Sequence, residues 1–131
     1  MPNALKGKST VSITWIAPTE TAVEALRIFF DGHYEFMESN SYREGPLKLI
    51  QYTISESPEY EGFNEFFEGK FPKKTGRTIF NLFEIYENEE GLHHHWIETA
   101  PVAEVLAEMV ETHNMEIVCF NQMKVRQSLW D

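Results

Sequence analysis

Cysteine is nearly absent from this 131-residue chain, whose one cysteine has no second thiol to pair with, so an internal disulfide is excluded. The sequence also has no Asn-x-Ser/Thr sequon, and its opening residues contain no apolar segment like that of a secretory signal. No stretch approaches the ~18 apolar residues that a membrane helix needs. We therefore expect a cytoplasmic protein that does not cross a membrane.

Basic residues are scarce as well, since 11 lysine and arginine residues stand against 21 aspartate and glutamate residues and give a formal net charge of −10. A surface of this sign repels phosphate backbones and anionic lipids, so neither nucleic acid nor a membrane surface is an expected partner. A small molecule or another protein is favoured instead. The length suits one domain, and we expect residues 1–131 to fold as a single unit.

Two periodicities of apolar residues follow one another along the chain and predict four strands and two helices. The strands are expected over 9–16, 47–54, 78–86 and 115–126. The first helix should start at the capping box of residues 21–24 and end near Ser39. The second should run from Asn88 to about Val110, with a break at Pro101.

The resulting order, βαββαβ, predicts an α+β fold of the ferredoxin-like class, with a four-stranded antiparallel sheet and two helices on one face. The last three strands carry apolar side chains on both faces. The sheet face without helices would therefore expose a large apolar surface, which is typical of an interface. We expect a homodimer in which two sheets pack face to face.

Residues 57–77 form an unusually long connection between the second and third strands. Ser57 and Pro58 predict the start of a helical segment here, because serine caps helices and proline suits the first helical position. Aromatic residues follow at about helical spacing, at Tyr60, Phe63, Phe67 and Phe71. Two roles remain open for this aromatic insertion, a lid over an apolar pocket or a contact with a second subunit.

The third strand and the helix after it carry a local motif. Glu84, Tyr86, Asn88 and Glu89 are followed by His95, eleven positions after the first glutamate. This motif resembles that of the antibiotic biosynthesis monooxygenase-like family in the dimeric α/β-barrel superfamily, and the predicted element order resembles it from 9 to 126. The resemblance implies a dimeric barrel and either a cofactor-free monooxygenase that oxidises aromatic compounds with O₂ or a small-molecule isomerase.

Haem-degrading proteins of the same superfamily carry a tryptophan on this helix and a haem-ligating histidine ten residues later. Here Trp96 is followed at that spacing by Leu106, so the resemblance does not extend to haem. His93, His94 and His95 diverge by about 100° per residue on a helix and cannot share one ion. We expect no metal and no cofactor.

Two residues are candidates for catalysis. His95 borders the apolar stripe of its helix and so should face the sheet, where a neutral imidazole could take a proton. Glu84 lies on an apolar strand face, where a carboxyl group is either paired or has a raised pKa. A purely structural role, as a hydrogen-bonded group of the core, is the alternative for each.

Six residues are candidate walls of a substrate pocket: Trp15, Asn81, Tyr86, Trp96, Phe63 and Phe67. Each could instead be ordinary packing. Together with His95 and Glu84 they favour a cofactor-independent monooxygenase or isomerase acting on an apolar or phenolic small molecule. The alternative is a non-catalytic homodimer that binds a hydrophobic ligand or a protein.

Overall fold

The computed structural model describes residues 3–130 and contains four strands and three α-helices. The strands are β1 (Ser9–Ala17), β2 (Leu49–Tyr60), β3 (Lys74–Tyr86) and β4 (Glu116–Lys124). The helices are α1 (Glu20–Asn40), α2 (Glu89–Thr99) and α3 (Ala103–Thr112). Among these residues no helix is both long and apolar enough to cross a membrane.

The four strands form one antiparallel sheet in the order β2-β3-β1-β4, with β1 and β3 at its centre. The core lies between one face of this sheet and the helices, and it includes Val11, Trp15, Leu26, Phe80 and Leu92. This arrangement confirms the ferredoxin-like α+β fold that the order of apolar patterns predicts.

Helix α1 begins two residues earlier than the capping box indicates. The Oγ1 of Thr19 accepts a hydrogen bond from the Ala22 amide at 3.1 Å, so Thr19 is the N-cap. A threonine at this position satisfies an amide of the first turn that has no carbonyl partner within the helix. The break expected in the second helix is confirmed, because Ala100–Val102 is a 3₁₀ turn around Pro101 that separates α2 from α3.

The aromatic insertion is a long hairpin rather than a helix, so the prediction of a helix starting at Ser57 and Pro58 is wrong. Strand β2 continues through Pro58 to Tyr60, and only Asn64–Glu68 form a short 3₁₀ helix. Proline is tolerated here because β2 lies at the edge of the sheet.

An ion pair holds the two strands of this hairpin together. The Arg77 guanidinium donates to both carboxylate oxygens of Glu59, from Nε at 2.7 Å and from Nη2 at 2.8 Å. The Thr75 hydroxyl donates to the same Glu59 carboxylate at 2.7 Å. Contacts between residues that are far apart in sequence thus stabilise the pairing of β2 with β3. The spacing of the aromatic residues does not indicate this pairing.

The sheet face away from the helices carries apolar side chains, as the strand patterns predict. On β4, Val118 is 50% exposed and Phe120 is 56% exposed. The pairing of β4 with β1 contains a bulge. Ser12 pairs with Phe120 and Thr10 pairs with Met123, so β4 has one extra residue over this stretch.

Candidate functional site

An apolar cavity of about 460 Å³ lies between the sheet and the three helices. Strands β1 and β3 form its floor, α1 closes one side, and α2 and α3 close the other. Its apolar walls include Ile13, Trp15, Phe29, Leu82, Trp96 and Leu106. The alternation of β1 and β3 explains this lining, since every second side chain of each strand points to the helices.

Glu84 interrupts this apolar wall with a fully buried carboxyl group. It lies on β3 between Leu82 and Tyr86 at positions of the same face. The Tyr86 hydroxyl donates a hydrogen bond to Glu84 Oε1 at 2.6 Å, whereas Oε2 is buried with no partner among residues 3–130. Burial raises the pKa of Glu84 to about 7, and the hydrogen bond from Tyr86 opposes this shift.

His95 approaches the same carboxyl group from α2. Its Nε2 atom is 3.9 Å from Glu84 Oε1, and its side chain is 13% exposed. Burial lowers the pKa of His95 to about 4, and the neighbouring His33 and His94 lower it further. The imidazole is therefore neutral at physiological pH and can accept a proton or bind a ligand.

His33 approaches from α1 and completes a group of three polar side chains. Its Nδ1 atom is hydrogen-bonded to the Tyr52 hydroxyl at 2.9 Å, and its ring stands nearly perpendicular to that of His95 at 5.9 Å between centroids. Burial lowers the pKa of His33 to about 4. One nitrogen or oxygen atom from each of His33, Glu84 and His95 lies within 4.8 Å of the other two.

A second unpartnered polar atom belongs to the cavity wall. Trp15 is almost completely buried on β1, and its indole N–H has no hydrogen-bond partner among the described residues. The other cavity tryptophan differs, because Trp96 Nε1 donates to Asn121 Oδ1 at 2.7 Å. Two residues of the cavity lining thus each have a buried polar atom without a partner among residues 3–130: Glu84 has an acceptor, Oε2, and Trp15 has a donor, Nε1.

The structure brings together some of the residues that the sequence singles out and separates others. Glu84, His95, Trp15 and Trp96 line the cavity, and Tyr86 reaches it through its hydrogen bond to Glu84.

Three candidate pocket walls do not line this cavity. Asn81 lies on the opposite face of the sheet, where its Nδ2 donates to Ser12 Oγ and Thr14 Oγ1, each at 3.1 Å. The reason is the strand alternation, which places Asn81 and Leu82 on opposite faces. Phe63 and Phe67 lie in the hairpin and are 66% and 85% exposed.

His33 is the site residue that sequence reasoning missed. It is on the apolar stripe of α1, three residues after Phe30 and four before Met37, both of which are buried. Positions three and four apart share one face of a helix, so this stripe carries the signal that His33 faces the core.

Comparisons with known proteins give one structural likeness. No protein-family model matches the chain, and no curated protein does. The chain is similar in structure to a protein of Deinococcus radiodurans named as a putative antibiotic biosynthesis monooxygenase, with 13% identity and a TM-score of 0.49, over 88% of this chain and 94% of that one.

Proposed function

We propose that this chain is an enzyme that takes an apolar or phenolic small molecule into the cavity and removes a proton from it at Glu84 and His95. The observation that supports the proposal most is the buried Glu84 carboxyl group, whose Oε2 has no partner among residues 3–130 although it lines an apolar cavity. A buried oxygen without a hydrogen bond costs about 1–3 kcal/mol. A substrate hydroxyl that donates to Oε2 would remove this cost.

The walls restrict what can bind. Aromatic and aliphatic side chains line almost the whole cavity, so a bound molecule gains free energy in proportion to its apolar area. A highly charged molecule would lose its hydration without compensation. The free Trp15 N–H favours an oxygen acceptor elsewhere on the substrate, such as a carbonyl group. A fused aromatic compound with a hydroxyl and a carbonyl group meets all three conditions.

The first chemical step is a proton transfer. Glu84 as carboxylate, or the neutral imidazole of His95, accepts a proton from a substrate O–H or an acidic C–H. Tyr86 holds the carboxyl group in place, because burial raises the pKa of its hydroxyl and keeps it a hydrogen-bond donor. The negative charge left on the substrate spreads over its aromatic system, and the apolar walls keep water away from it.

Two outcomes follow from this step. Return of the proton to another atom of the substrate is an isomerisation. Reaction of a deprotonated methylene with O₂ oxidises the carbon to a carbonyl, while the second oxygen atom leaves as water (R₂CH₂ + O₂ → R₂C=O + H₂O). Both outcomes begin with the same proton transfer, so one experiment tests their shared basis.

Anthrone is a suitable probe, since it is a fused aromatic ketone with an acidic methylene group. Exchange of the methylene hydrogens in D₂O is followed by NMR, and O₂ uptake with formation of anthraquinone is measured in parallel. Replacing a general base reduces rates by about 10²–10⁴-fold, so Glu84→Gln should slow exchange at least about 100-fold. Glu111→Gln is the matched control, because Glu111 lines the same cavity but is exposed.

Equal exchange rates in the wild type and Glu84→Gln would refute the role of Glu84. Binding of anthrone, seen by quenching of tryptophan fluorescence, with no exchange above the uncatalysed rate would overturn the enzymatic proposal. That result would leave the alternative of a non-catalytic binding protein for hydrophobic ligands.

We also propose that the chain forms a homodimer through the sheet face away from the helices. The half-exposed Val118 and Phe120 support this, since apolar side chains of this size on an open sheet face are typical of an interface. A second copy packed face to face would cover both.

A further inference from the structure

We propose that His33, Glu84 and His95 form a binding site for one divalent first-row transition-metal ion. The inference concerns the same cavity as the proposed function but does not rest on it, because metal binding can be measured without any substrate. The sequence expectation of no metal set His33 aside because it lies on another element than the run His93 to His95, of which only His95 takes part here.

The three side chains converge from different elements. His33 comes from α1, Glu84 from β3 and His95 from α2, and their candidate ligand atoms lie within 4.8 Å of one another. Two ligands of one ion with bonds of about 2.1 Å are at most about 4.2 Å apart. His95 Nε2 lies 3.9 Å from Glu84 Oε1, so the imidazole and the carboxyl group are close enough to share an ion. Small side-chain rotations would bring the third atom within that limit.

Two tyrosines leave one free atom on each of two ligands. Tyr52 is hydrogen-bonded to His33 Nδ1, so Nε2 remains for a metal. Tyr86 donates to Glu84 Oε1, so Oε2 remains, and this is the buried atom without a partner among residues 3–130. Metal-binding histidines and carboxylates are commonly held by such outer hydrogen bonds, which fix the ring or carboxyl orientation.

The donor set indicates the class of ion. Two imidazoles and one carboxylate suit Zn²⁺ or Fe²⁺, whereas Ca²⁺ and Mg²⁺ prefer oxygen ligands alone. Three protein ligands leave coordination positions open toward the cavity, where a substrate oxygen could bind.

The test is a titration of EDTA-treated protein with Zn²⁺ by calorimetry and with Co²⁺ by visible absorption. We expect one ion per chain and Co²⁺ bands typical of nitrogen and oxygen ligation. Glu84→Gln and His33→Gln should each weaken binding at least about 100-fold. Tyr52→Phe, which keeps all three ligands, should weaken it about 10-fold, in keeping with the loss of an outer hydrogen bond.

His94→Gln is the matched control, because His94 is next to His95 but bonds to Glu98 on the helix surface. It should bind the ion as the wild type does. Equal weakening by His94→Gln and His33→Gln would overturn the proposal, since it would indicate loose binding to the histidine run. Absence of saturable binding at one ion per chain in the wild type would also overturn it.

Circular dichroism identifies any variant that does not fold, and Tyr52→Phe then decides, because unchanged affinity in that variant counts against the site. Zn²⁺ should also raise the melting temperature of the wild type but not that of His33→Gln. Metal binding without proton exchange on anthrone would contradict the proposed function alone. Proton exchange on anthrone by a protein that does not bind Zn²⁺ or Co²⁺ in the titration would contradict the metal site alone.

Discussion

The hydrogen bond between Tyr86 and Glu84 gives the sharpest prediction on the stability of the site. The change Tyr86→Phe removes only the hydroxyl and leaves the aromatic ring in place. Tyr86 is 3% exposed and Glu84 is 0% exposed, and the lost bond is 2.6 Å long. The Glu84 carboxyl group would then lose its one hydrogen bond within residues 3–130.

The expected cost follows from the chemistry of this pair. A buried hydrogen bond to a charged or strongly polar acceptor contributes about 1.5–3 kcal/mol. We therefore expect the free energy of unfolding to fall by about 2 kcal/mol. In urea, with a slope of about 1–3 kcal/mol per molar, the unfolding midpoint should move down by about 1 M with little change in slope.

The control is a second tyrosine paired with a glutamate, this time on the surface. The Tyr34 hydroxyl donates to Glu38 Oε2 at 3.4 Å, and Tyr34 is 55% exposed. Tyr34→Phe should change stability by less than about 0.5 kcal/mol. In a double-mutant cycle, Tyr86→Phe should cost less in a Glu84→Leu background, because no carboxyl group remains to be stranded. A loss below about 0.5 kcal/mol for Tyr86→Phe would refute the buried pair.

Three further outcomes are expected. A Cβ at Gly91 would lie 3.0 Å from the Leu47 carbonyl oxygen. In urea unfolding, Gly91→Ala should therefore lower the free energy of unfolding by about 1–3 kcal/mol. An unchanged free energy of unfolding would contradict this close packing. The pKa of Glu84 is about 7 in the folded chain against an ordinary 4.5, so the folded chain holds an extra proton between these values. In EDTA, the stability of the wild type relative to Glu84→Gln should therefore fall by about 3 kcal/mol as pH rises from 4.5 to above 7, and a constant difference would refute the burial of this carboxyl group. Light scattering at micromolar concentration should give a dimer for the wild type and a monomer for Phe120→Glu, and a monomeric wild type would exclude the dimer.

The element order could be predicted from the sequence because it depends on local patterns. Strict alternation over β1 and a helical stripe over α1 are each readable within about 15 residues. The 3₁₀ turn at Pro101 follows from the geometry of proline itself. None of these features needs information from a distant part of the chain.

The hairpin of residues 57–77 shows where local patterns mislead. Its phenylalanines recur at about helical spacing, yet the backbone is extended at both ends because β2 and β3 pair. The Glu59–Arg77 ion pair joins residues 18 positions apart, and no helical or strand periodicity reports such a contact. The ends of this hairpin are therefore strands rather than helices because β2 and β3 pair with each other across the sheet.

Only part of the candidate site could be predicted, because local patterns do not show which distant residues meet in the fold. Glu84 and His95 share one continuous motif, so the sequence points to both. His33 and Tyr52 come from α1 and β2, and only the packing of those elements brings them to Glu84. The stripe of α1 predicts that His33 faces the core, but not which residue it meets there.

The polar groups of the cavity set a condition on whatever occupies it. The fold satisfies one oxygen of Glu84 through Tyr86 and one nitrogen of His33 through Tyr52. It leaves Glu84 Oε2 and Trp15 Nε1 buried without a partner among residues 3–130. An apolar side chain at position 84 would avoid this cost and pack as Leu82 does, so the carboxyl group lowers the stability of the fold. Its remaining oxygen has no partner among residues 3–130, and a metal ion or a substrate hydroxyl would provide one.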